Sequence, residues 1–303
     1  MKTDVTQAIT KPAVLKWRQP VAWQRVAKEA LRYPLLPLFI LSMVAIAGVF
    51  APLLAPHDPA DFELRRSMMP PAWDPKGSSE FLLGTDKLGR DIFSRIIWGA
   101  RVSLAIGFLG VGFAGVVGTT LGLVSGYFGG KTDAIIMRIV DIKQSVPGFL
   151  LALVLAAVIG PSLQTIIIVV MLAYWTGYAR LIRGETLSVK QRDYVALARV
   201  AGCSPPRILF KHILPNIINT AVVLATLQLG SVIIFEASLS FLGLGVQPPA
   251  SAWGSMLADG RSYLTSAWWL SVFPGLAIMF TVLGCNLTGD WLRDFLDPKR
   301  RQV

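Results

Sequence analysis

A glycine motif is the first pattern in this sequence that suggests chemistry. Residues 110–115 fit the GxGxxG spacing of a dinucleotide-binding turn. That chemistry requires a preceding strand and a helix that opens onto water, whereas these glycines lie inside a long apolar stretch. Small residues also recur every four positions here, which places them on one helix face and favours close packing against another helix. The members of this small-residue stripe are Gly110, Ala114, Gly118, Gly122, Gly126 and Gly130.

Catalytic and metal-binding signatures are missing from the sequence. Gly130-Lys131-Thr132 is similar to the end of a phosphate-binding loop, but Ser125 stands where that loop needs its first glycine. The chain has two histidines, His57 and His212, and no GxSxG or HExxH pattern. We therefore expect a non-enzymatic protein with no catalytic residue and no ATP site, metal or cofactor of its own.

The composition indicates that lipid surrounds much of the chain. Of 303 residues, 53% are hydrophobic and 16% are charged, and the mean hydropathy of +0.57 is too high for a soluble protein. A spanning helix needs about 20 apolar residues. Stretches without Asp, Glu, Lys or Arg reach that length at 33–56, 102–130, 144–179, 212–235 and 262–289. The third has room for two short spans around a turn at Gly160-Pro161-Ser162, so we predict six transmembrane helices.

The distribution of lysine and arginine orients these helices. Seven basic residues precede the first stretch, three lie at 131–143, seven at 180–211 and four at 293–301, whereas the last outer loop has only Arg261. Because basic segments stay on the cytoplasmic side, we predict that both termini are cytoplasmic. The formal charge of +11 is thereby explained by topology and contact with membrane lipids, and we expect no binding to nucleic acid.

The predicted organisation is an all-α, polytopic membrane protein. Residues 1–34 form a cytoplasmic N-terminal segment, and 35–56 form the first transmembrane helix, which is too long and too far from the N-terminus for a cleaved signal peptide. An external loop at 57–99 follows. The remaining parts are a core domain of five transmembrane helices at 100–290, which includes a cytoplasmic loop at 184–214, and a cytoplasmic tail at 291–303.

Glu236 is the clearest acidic residue inside an apolar stretch. A charged group within the membrane is costly and often has a function. One interpretation is a carboxylate near the outer interface that is hydrogen-bonded to neighbouring helices. The other is a polar group that lines a path for a solute, and the sequence leaves both interpretations open.

The cytoplasmic loop is longer than a simple connection requires. Asp193 is suited to a helix start, the following alanine-rich residues favour a helix, and Gly202 is suited to its end. Pro205 and Pro206 are placed to begin a second helix that reaches the membrane at Pro215. Two short helices that project into the cytoplasm are suited to docking in a groove of another protein. A rigid helix there would transmit movement of that partner to the adjoining spans.

This loop resembles the cytoplasmic loop of binding-protein-dependent ABC importer permeases. The family pattern is Glu-Ala-Ala, three residues, Gly, nine residues, Ile, one residue, Leu-Pro. In this sequence Ala198 takes the second alanine position, Gly202 the glycine position, and Leu214-Pro215 the closing pair. The sequence departs from the pattern at Ala196, Leu197 and His212, which take the acidic, first alanine and isoleucine positions.

Further segments are similar to the dipeptide, oligopeptide and nickel branch of that family. They lie at 83–91, 93–95, 99–101, 239–249, 253–254 and 289–298, so the resemblance covers residues 80–298. It implies the fold of a type I ABC importer permease in the prokaryotic inner membrane. The implied cargo is a short peptide, with nickel or another small solute as the alternative.

The resemblance also implies partners and site residues. The partners are a second permease, two ATP-binding subunits that hold ATP and Mg²⁺, and an extracytoplasmic substrate-binding protein. The implied ATPase-docking loop contains Asp193, Tyr194, Ala198, Gly202, Ser204 and Pro205, followed by an elbow at Leu214 and Pro215. The external signature loop contains Gly84, Thr85, Asp86, Gly89, Arg90 and Asp91.

Two outer features have simpler interpretations. The signature loop could cap the helix that follows it and form salt bridges, or it could contact the binding protein or second permease. Trp253, Trp268 and Trp269 are suited to an aromatic belt at the membrane surface. Two other classes of protein remain as alternatives to a permease subunit: a self-contained channel or ion-coupled carrier, and a membrane-embedded enzyme.

Overall fold

The computed structural model describes residues 34–296, in which the regular structure is helical. The first helices are α1 (Leu35–Val49) and α2 (Ala51–Leu54), followed by an irregular segment with one 3-10 turn at Leu64–Arg66. Next come α3 (Ile92–Phe128), α4 (Gly130–Ser145), α5 (Gly148–Ile159) and α6 (Leu163–Lys190). The cytoplasmic loop contains α7 (Asp193–Val200), α8 (Pro205–Arg207) and a π-helical segment at Ile208–Ile213. The last helices are α9 (Leu214–Phe241), α10 (Trp253–Gly260) and α11 (Trp269–Leu296).

Helices α3 and α6 are parallel and pack closely through the small-residue stripe. A Cβ atom added at Gly110 would lie 2.6 Å from Val170 Cγ1, and one at Gly126 would lie 2.7 Å from Thr186 Cβ. Because the residue numbers of the contacts increase along both helices, the two helices run parallel. The predicted packing role is confirmed from residue 110 to residue 126, but Gly130 has a φ of +53° and starts α4 instead.

The other long helices pack antiparallel to their neighbours around this pair. Gly107 of α3 lies against Leu229 of α9, and Ser103 donates a hydrogen bond to Glu236 further along α9. Gly289 of α11 and Gly230 of α9 likewise allow these two helices to pack closely, and the two helices run antiparallel. One end of the bundle therefore carries the starts of α3, α6 and α11. We call it the outer end, because the distribution of lysine and arginine predicts that it lies outside the cytoplasm.

The structure has four helices that are long and apolar enough to cross a membrane within residues 34–296. They are α3, α6, the α8–α9 unit and α11. Helices α4 and α5 form a fifth candidate span that is bent by 82°. The turn at Gly160-Pro161-Ser162 is present, but α5 has only 12 residues and α1 only 15, so each is shorter than the roughly 20 residues of a full span. The count of six and the positions of the termini remain predictions.

Several helices extend past the apolar stretches from which we predicted them. Helix α3 starts at Ile92, within the predicted external loop, and α11 continues to Leu296, within the predicted tail. Helix α6 continues to Lys190, and two arginines in its charged part form ion pairs with α4. The segment predicted as the last outer loop also contains α10, which we did not predict. Residues 1–33 of the predicted N-terminal segment and residues 297–303 of the predicted tail lie outside the described residues.

Candidate functional site

The cytoplasmic loop folds as a helix, a tight turn and a second helix. Helix α7 begins at Asp193, as predicted, and its last residue is Val200, two positions before Gly202, where we predicted the helix to end. Gly202 has a φ of +74°, a left-handed conformation that favours glycine. The Cys203 N–H donates to the Ala198 carbonyl at 3.0 Å, which closes the end of α7. Ser204 precedes Pro205, which starts the second helix as predicted.

Helix α7 has a buried face and an exposed face. Val195 and Ala198 are buried against a cluster that includes Ile182 of α6 and Ile213. Tyr194, Leu197 and Val200 lie at intervals of three residues on the opposite side, with 37%, 67% and 87% of their surface exposed. Since Ala198 faces the protein, it positions the helix, while Leu197 and Val200 are exposed on the other side.

We did not single out Leu197 and Val200 in the sequence. Leu197 stands at a position where the family pattern has alanine, so the pattern marks it only as a departure. The available signal was the three-residue spacing of Tyr194, Leu197 and Val200. The burial of Ala198 comes from tertiary contacts that this spacing alone does not reveal.

The predicted elbow at Leu214 and Pro215 is a change of helix type. Pro215 has no N–H group, so it cannot donate the hydrogen bond that an α-helix places at that position. The preceding turn, Ile208–Ile213, is a π-helix, and the Leu214 N–H donates to the Leu209 carbonyl. Helical structure therefore continues from Pro205 to Phe241, so the segment that follows the Gly202 turn belongs to the same helical unit as a candidate membrane-spanning helix.

A set of polar contacts attaches this region to the ends of α3 and α4. Arg183 of α6 donates two hydrogen bonds to Asp133 of α4, both at 2.6 Å, and Ser125 of α3 donates to the same carboxylate. Lys190 donates to the Tyr127 carbonyl. The Arg199 guanidinium of α7 lies 5.4 Å from the centre of the Tyr127 ring. We call Ser125, Tyr127, Asp133, Arg183, Lys190 and Arg199 the cytoplasmic clamp.

The external signature loop is organised around a buried carboxylate. Asp86 accepts a hydrogen bond from Arg90 Nε at 2.7 Å and another from Arg95. Asp91 is the N-cap of α3 and accepts from the Ser94 N–H at 2.9 Å. These contacts confirm the capping and salt-bridge interpretation of the loop.

The remaining signature residues allow the backbone of this loop to turn. Gly84 and Gly89 have φ angles of +82° and +79°, and a Cβ atom at Gly89 would lie 2.0 Å from the Glu63 carbonyl oxygen. Thr85 accepts a hydrogen bond from the Met69 N–H at 2.9 Å. Contact of this loop with a partner protein remains a prediction.

Glu236 lies inside the helix bundle with 1% of its surface exposed. Its carboxylate accepts a hydrogen bond from Ser240 at 2.7 Å and a longer one from Ser103 of α3 at 3.4 Å. This arrangement agrees with a carboxylate that is hydrogen-bonded between helices. Its place on a translocation path stays a prediction.

Two of the three tryptophans assigned to an aromatic belt are buried instead. The Trp253 indole donates to the Ile96 carbonyl at 2.9 Å, and Trp269 donates to the Thr85 carbonyl at 3.2 Å. Each ring fills the core while its N–H finds an acceptor, which removes the need for contact with the membrane surface. Trp268 is exposed, and its place in an aromatic belt stays a prediction.

Residues 118–302 match the family described as "binding-protein-dependent transport system inner membrane component". The chain is 43% identical over 266 residues to the di/tripeptide transport system permease protein DppC of Pseudomonas aeruginosa, covering 88% of each chain. It is 44% identical to the glutathione transport system permease protein GsiD of Pectobacterium atrosepticum, covering 93% of this chain and 91% of that protein. It is 42% identical to the probable D,D-dipeptide transport system permease protein DdpC of Escherichia coli K12, with coverage of 86% and 85%.

Solved structures show the same fold. The chain is similar to a subunit of the MetNI methionine ABC transporter in an inward-facing conformation, with a TM-score of 0.56 and 20% identity. The similarity covers 68% of this chain and 98% of that chain. The described helices therefore form the fold of an ABC importer permease.

Proposed function

Because the chain belongs to the family of binding-protein-dependent transport system inner membrane components, we propose that it is one of two permease subunits of an ATP-driven importer for short peptides. One observation carries this proposal: the similarity to the di/tripeptide permease extends over 88% of the chain. The chain is a multi-pass protein of the bacterial inner membrane. Its task is to form part of the translocation path.

The energy for transport comes from partner subunits in this proposal. ATP and Mg²⁺ bind to two ATPases, and this chain is non-catalytic. Helix α7 supplies the docking surface for one ATPase through Tyr194, Leu197 and Val200. Exposed leucine and valine at the tip of a cytoplasmic projection support this role, because such a projection gains stability when another protein covers it.

Movement of the ATPase would reach the membrane through two connections. The first is the continuous helical path from Pro205 into α9. The second is the cytoplasmic clamp, which joins α7 to α3 through Arg199 and Tyr127. Since α3 and α6 are closely packed, a displacement at their cytoplasmic ends is transmitted along the pair toward the outer end.

The proposed cargo is a short peptide with free termini. The names of the relatives refer to di- and tripeptides, D,D-dipeptides and glutathione, which share a small size and charged ends. An external binding protein delivers the peptide, and a second permease completes the path. Nickel is the alternative cargo, and it receives less support because these relatives are named for peptides.

Reconstitution of the complete importer tests this function. Proteoliposomes that contain this chain, the second permease, both ATPases and the binding protein should accumulate labelled alanyl-alanine only with ATP. Vesicles that lack this chain, or that contain it alone, should accumulate none. Uptake by this chain alone without ATP would contradict the proposal and indicate a carrier.

The docking role has its own test with a matched control. Leu197→Asp and Val200→Asp place a charge on the exposed face of α7, so the ATPase should no longer co-purify with the permease pair and peptide-stimulated ATP hydrolysis should fall. Leu82→Asp changes an exposed leucine at the outer end and should leave both properties unchanged. Unchanged co-purification of both α7 variants would contradict docking on this face.

A further inference from the structure

A cavity with a volume of about 710 Å³ opens at the outer end of the bundle. Its walls come from four parts of the chain: α2 with the segment after it, the first half of α3, the start of α6 and the loop before α10. Apolar side chains, including Val102, Ala105 and Leu163, form much of the surface. Ligand sites commonly have volumes of about 300–1,000 Å³, so the cavity has room for a small solute.

Arg101 brings an unpaired positive charge to this cavity. The guanidinium lies 5.6 Å from the centre of the Trp98 ring, which holds it by a cation–π contact. Within residues 34–296, no carboxylate forms a salt bridge with Arg101. Arg90 and Arg95, by contrast, both contact the buried Asp86. Arg101 thus keeps its hydrogen-bond donors available for an anion from outside the chain.

Asp58 contributes an unpaired negative charge to the same cavity. One of its oxygens accepts a hydrogen bond from the Ala60 N–H at 2.8 Å, which fixes the side chain. No lysine or arginine of the described part of the chain pairs with it, and no salt bridge joins it to Arg101. The cavity therefore presents a separate cation and anion between apolar walls.

We propose that this outer cavity is a binding site for the two charged ends of a short zwitterionic peptide. The Arg101 guanidinium donates to the terminal carboxylate, a geometry to which its planar fork is suited. Asp58 accepts from the terminal ammonium, and the apolar walls receive the side chains. This inference rests on the proposed import of peptides and places one step of it at named residues.

Such a site recognises features that all short peptides share. The two charges select peptides with free termini. Walls formed by small apolar residues and proline can accept peptide side chains of different kinds. A single cavity could then serve cargo of varied sequence. Arg101 would repel a metal cation and would form no ion pair with an uncharged solute.

The test measures binding to the intact permease–ATPase complex in nanodiscs, without the binding protein. Saturation-transfer NMR would follow alanyl-alanine and its C-terminal amide, alanyl-alaninamide. Loss of a charge-assisted pair should weaken binding about tenfold, so Arg101→Gln should lower the affinity for alanyl-alanine by that factor. Arg101→Lys keeps the positive charge but loses the planar fork, so its affinity should lie between those of the wild type and Arg101→Gln. The amide should bind weakly to the wild-type complex and be insensitive to Arg101→Gln.

Two further variants complete the comparison. Asp58→Asn should weaken alanyl-alanine but not N-acetyl-alanyl-alanine, which has no ammonium group. Arg65→Gln removes an exposed arginine that does not line the cavity, and it should change nothing. Equal affinity in the wild-type and Arg101→Gln complexes, an equal loss in Arg65→Gln, or no detectable wild-type binding at millimolar peptide would overturn the proposed site.

The outcome separates this site from the proposed function. ATP-dependent uptake by the complete wild-type importer supports peptide transport whatever the binding experiment gives. If uptake occurs and Arg101→Gln binds normally, only the site is wrong. If the wild-type importer does not take up peptide, the proposed function itself fails.

Discussion

Asp133 and Arg183 form a bidentate ion pair that joins the start of α4 to the cytoplasmic half of α6. The Arg183 Nε and Nη2 atoms each lie 2.6 Å from a different oxygen of Asp133. Both side chains are partly accessible to solvent. Salt and water therefore weaken the attraction, but the paired geometry keeps it specific.

Removal of this ion pair should loosen the cytoplasmic end of the bundle. We expect Asp133→Asn to lower the free energy of unfolding by about 1–2 kcal/mol, because hydrogen bonds to charged groups contribute about that much and solvent access reduces the loss. Thermal unfolding of the purified permease complex in detergent checks this value. A double-mutant cycle with Arg183→Gln should show that the two losses are not additive. Fully additive losses would contradict the pair.

The contact between α3 and α6 should tolerate no added atom at its centre. A Cβ atom at Gly118 would lie 2.2 Å from the Trp175 carbonyl oxygen, and this backbone atom cannot move aside without shifting α6. We expect Gly118→Ala to destabilise the protein by about 1–3 kcal/mol and to reduce uptake. The measurements are thermal unfolding and ATP-dependent uptake.

Gly112 provides the matched control for this prediction. It lies on the same helix, but nothing lies within 4 Å of an added Cβ atom. Gly112→Ala should be neutral, or stabilising by up to about 1 kcal/mol, because alanine favours the helix. Equal behaviour of the two variants would show that the stripe does not hold α3 to α6.

The turn after α7 should be sensitive to any residue with a side chain. Gly202 has a φ of +74°, and a left-handed conformation costs most residues about 1–2 kcal/mol. Gly202→Ala should leave membrane insertion intact but reduce the coupling of ATP hydrolysis to uptake. The ratio of peptide taken up to ATP hydrolysed measures that coupling.

Two variants separate backbone strain from steric clash at this turn. No atom lies within 4 Å of an added Cβ atom at Gly202, so strain is the expected cause. Gly202→Asn should behave better than Gly202→Ala, because asparagine adopts the left-handed conformation more readily. Gly184→Ala, in the interior of α6 with equally open surroundings, should have normal coupling. A defect of the same size in Gly184→Ala would argue against this explanation.

The external signature loop should depend strongly on one carboxylate. Asp86 is buried and compensates the charges of Arg90 and Arg95. Asp86→Asn leaves Arg95 buried without its partner, which should destabilise the protein by about 3–5 kcal/mol. The yield of correctly inserted protein and its unfolding temperature report this loss. Asp61→Asn, which changes an exposed acid in the same segment, should leave both unchanged, and a similarly stable Asp86→Asn protein would refute the prediction.

The sequence predicted those features that follow from local chemistry. Uncharged stretches located the long helices, because lipid leaves no alternative for the backbone. Gly202, Pro205 and the turn at Gly160 were placed correctly because glycine and proline act on their own part of the backbone. The capping function of Asp91 likewise follows from its position directly before a helix.

Features that depend on tertiary contacts could not be predicted in this way. The spacing of Leu197 and Val200 places them on one face of α7, but it does not reveal that Ala198 lies on the face that is buried against the protein. The burial of Trp253 and Trp269 could not be predicted, because the carbonyl groups that accept their hydrogen bonds lie about 150 residues or more away in the sequence. The cavity that contains Asp58 and Arg101 required four separate segments to be brought together.

The parallel arrangement of α3 and α6 also has a consequence for synthesis. Parallel neighbours require the chain to return across the bundle, so α4 and α5 must be made before Gly110 can meet Val170. The ribosome reaches Val170 about sixty residues after Gly110, which takes roughly 3–12 s at about 5–20 residues per second. During that interval the glycine face of α3 has lipid or the insertion machinery as its neighbour. The close packing of α3 against α6 therefore forms only after the whole segment between the two helices has been made.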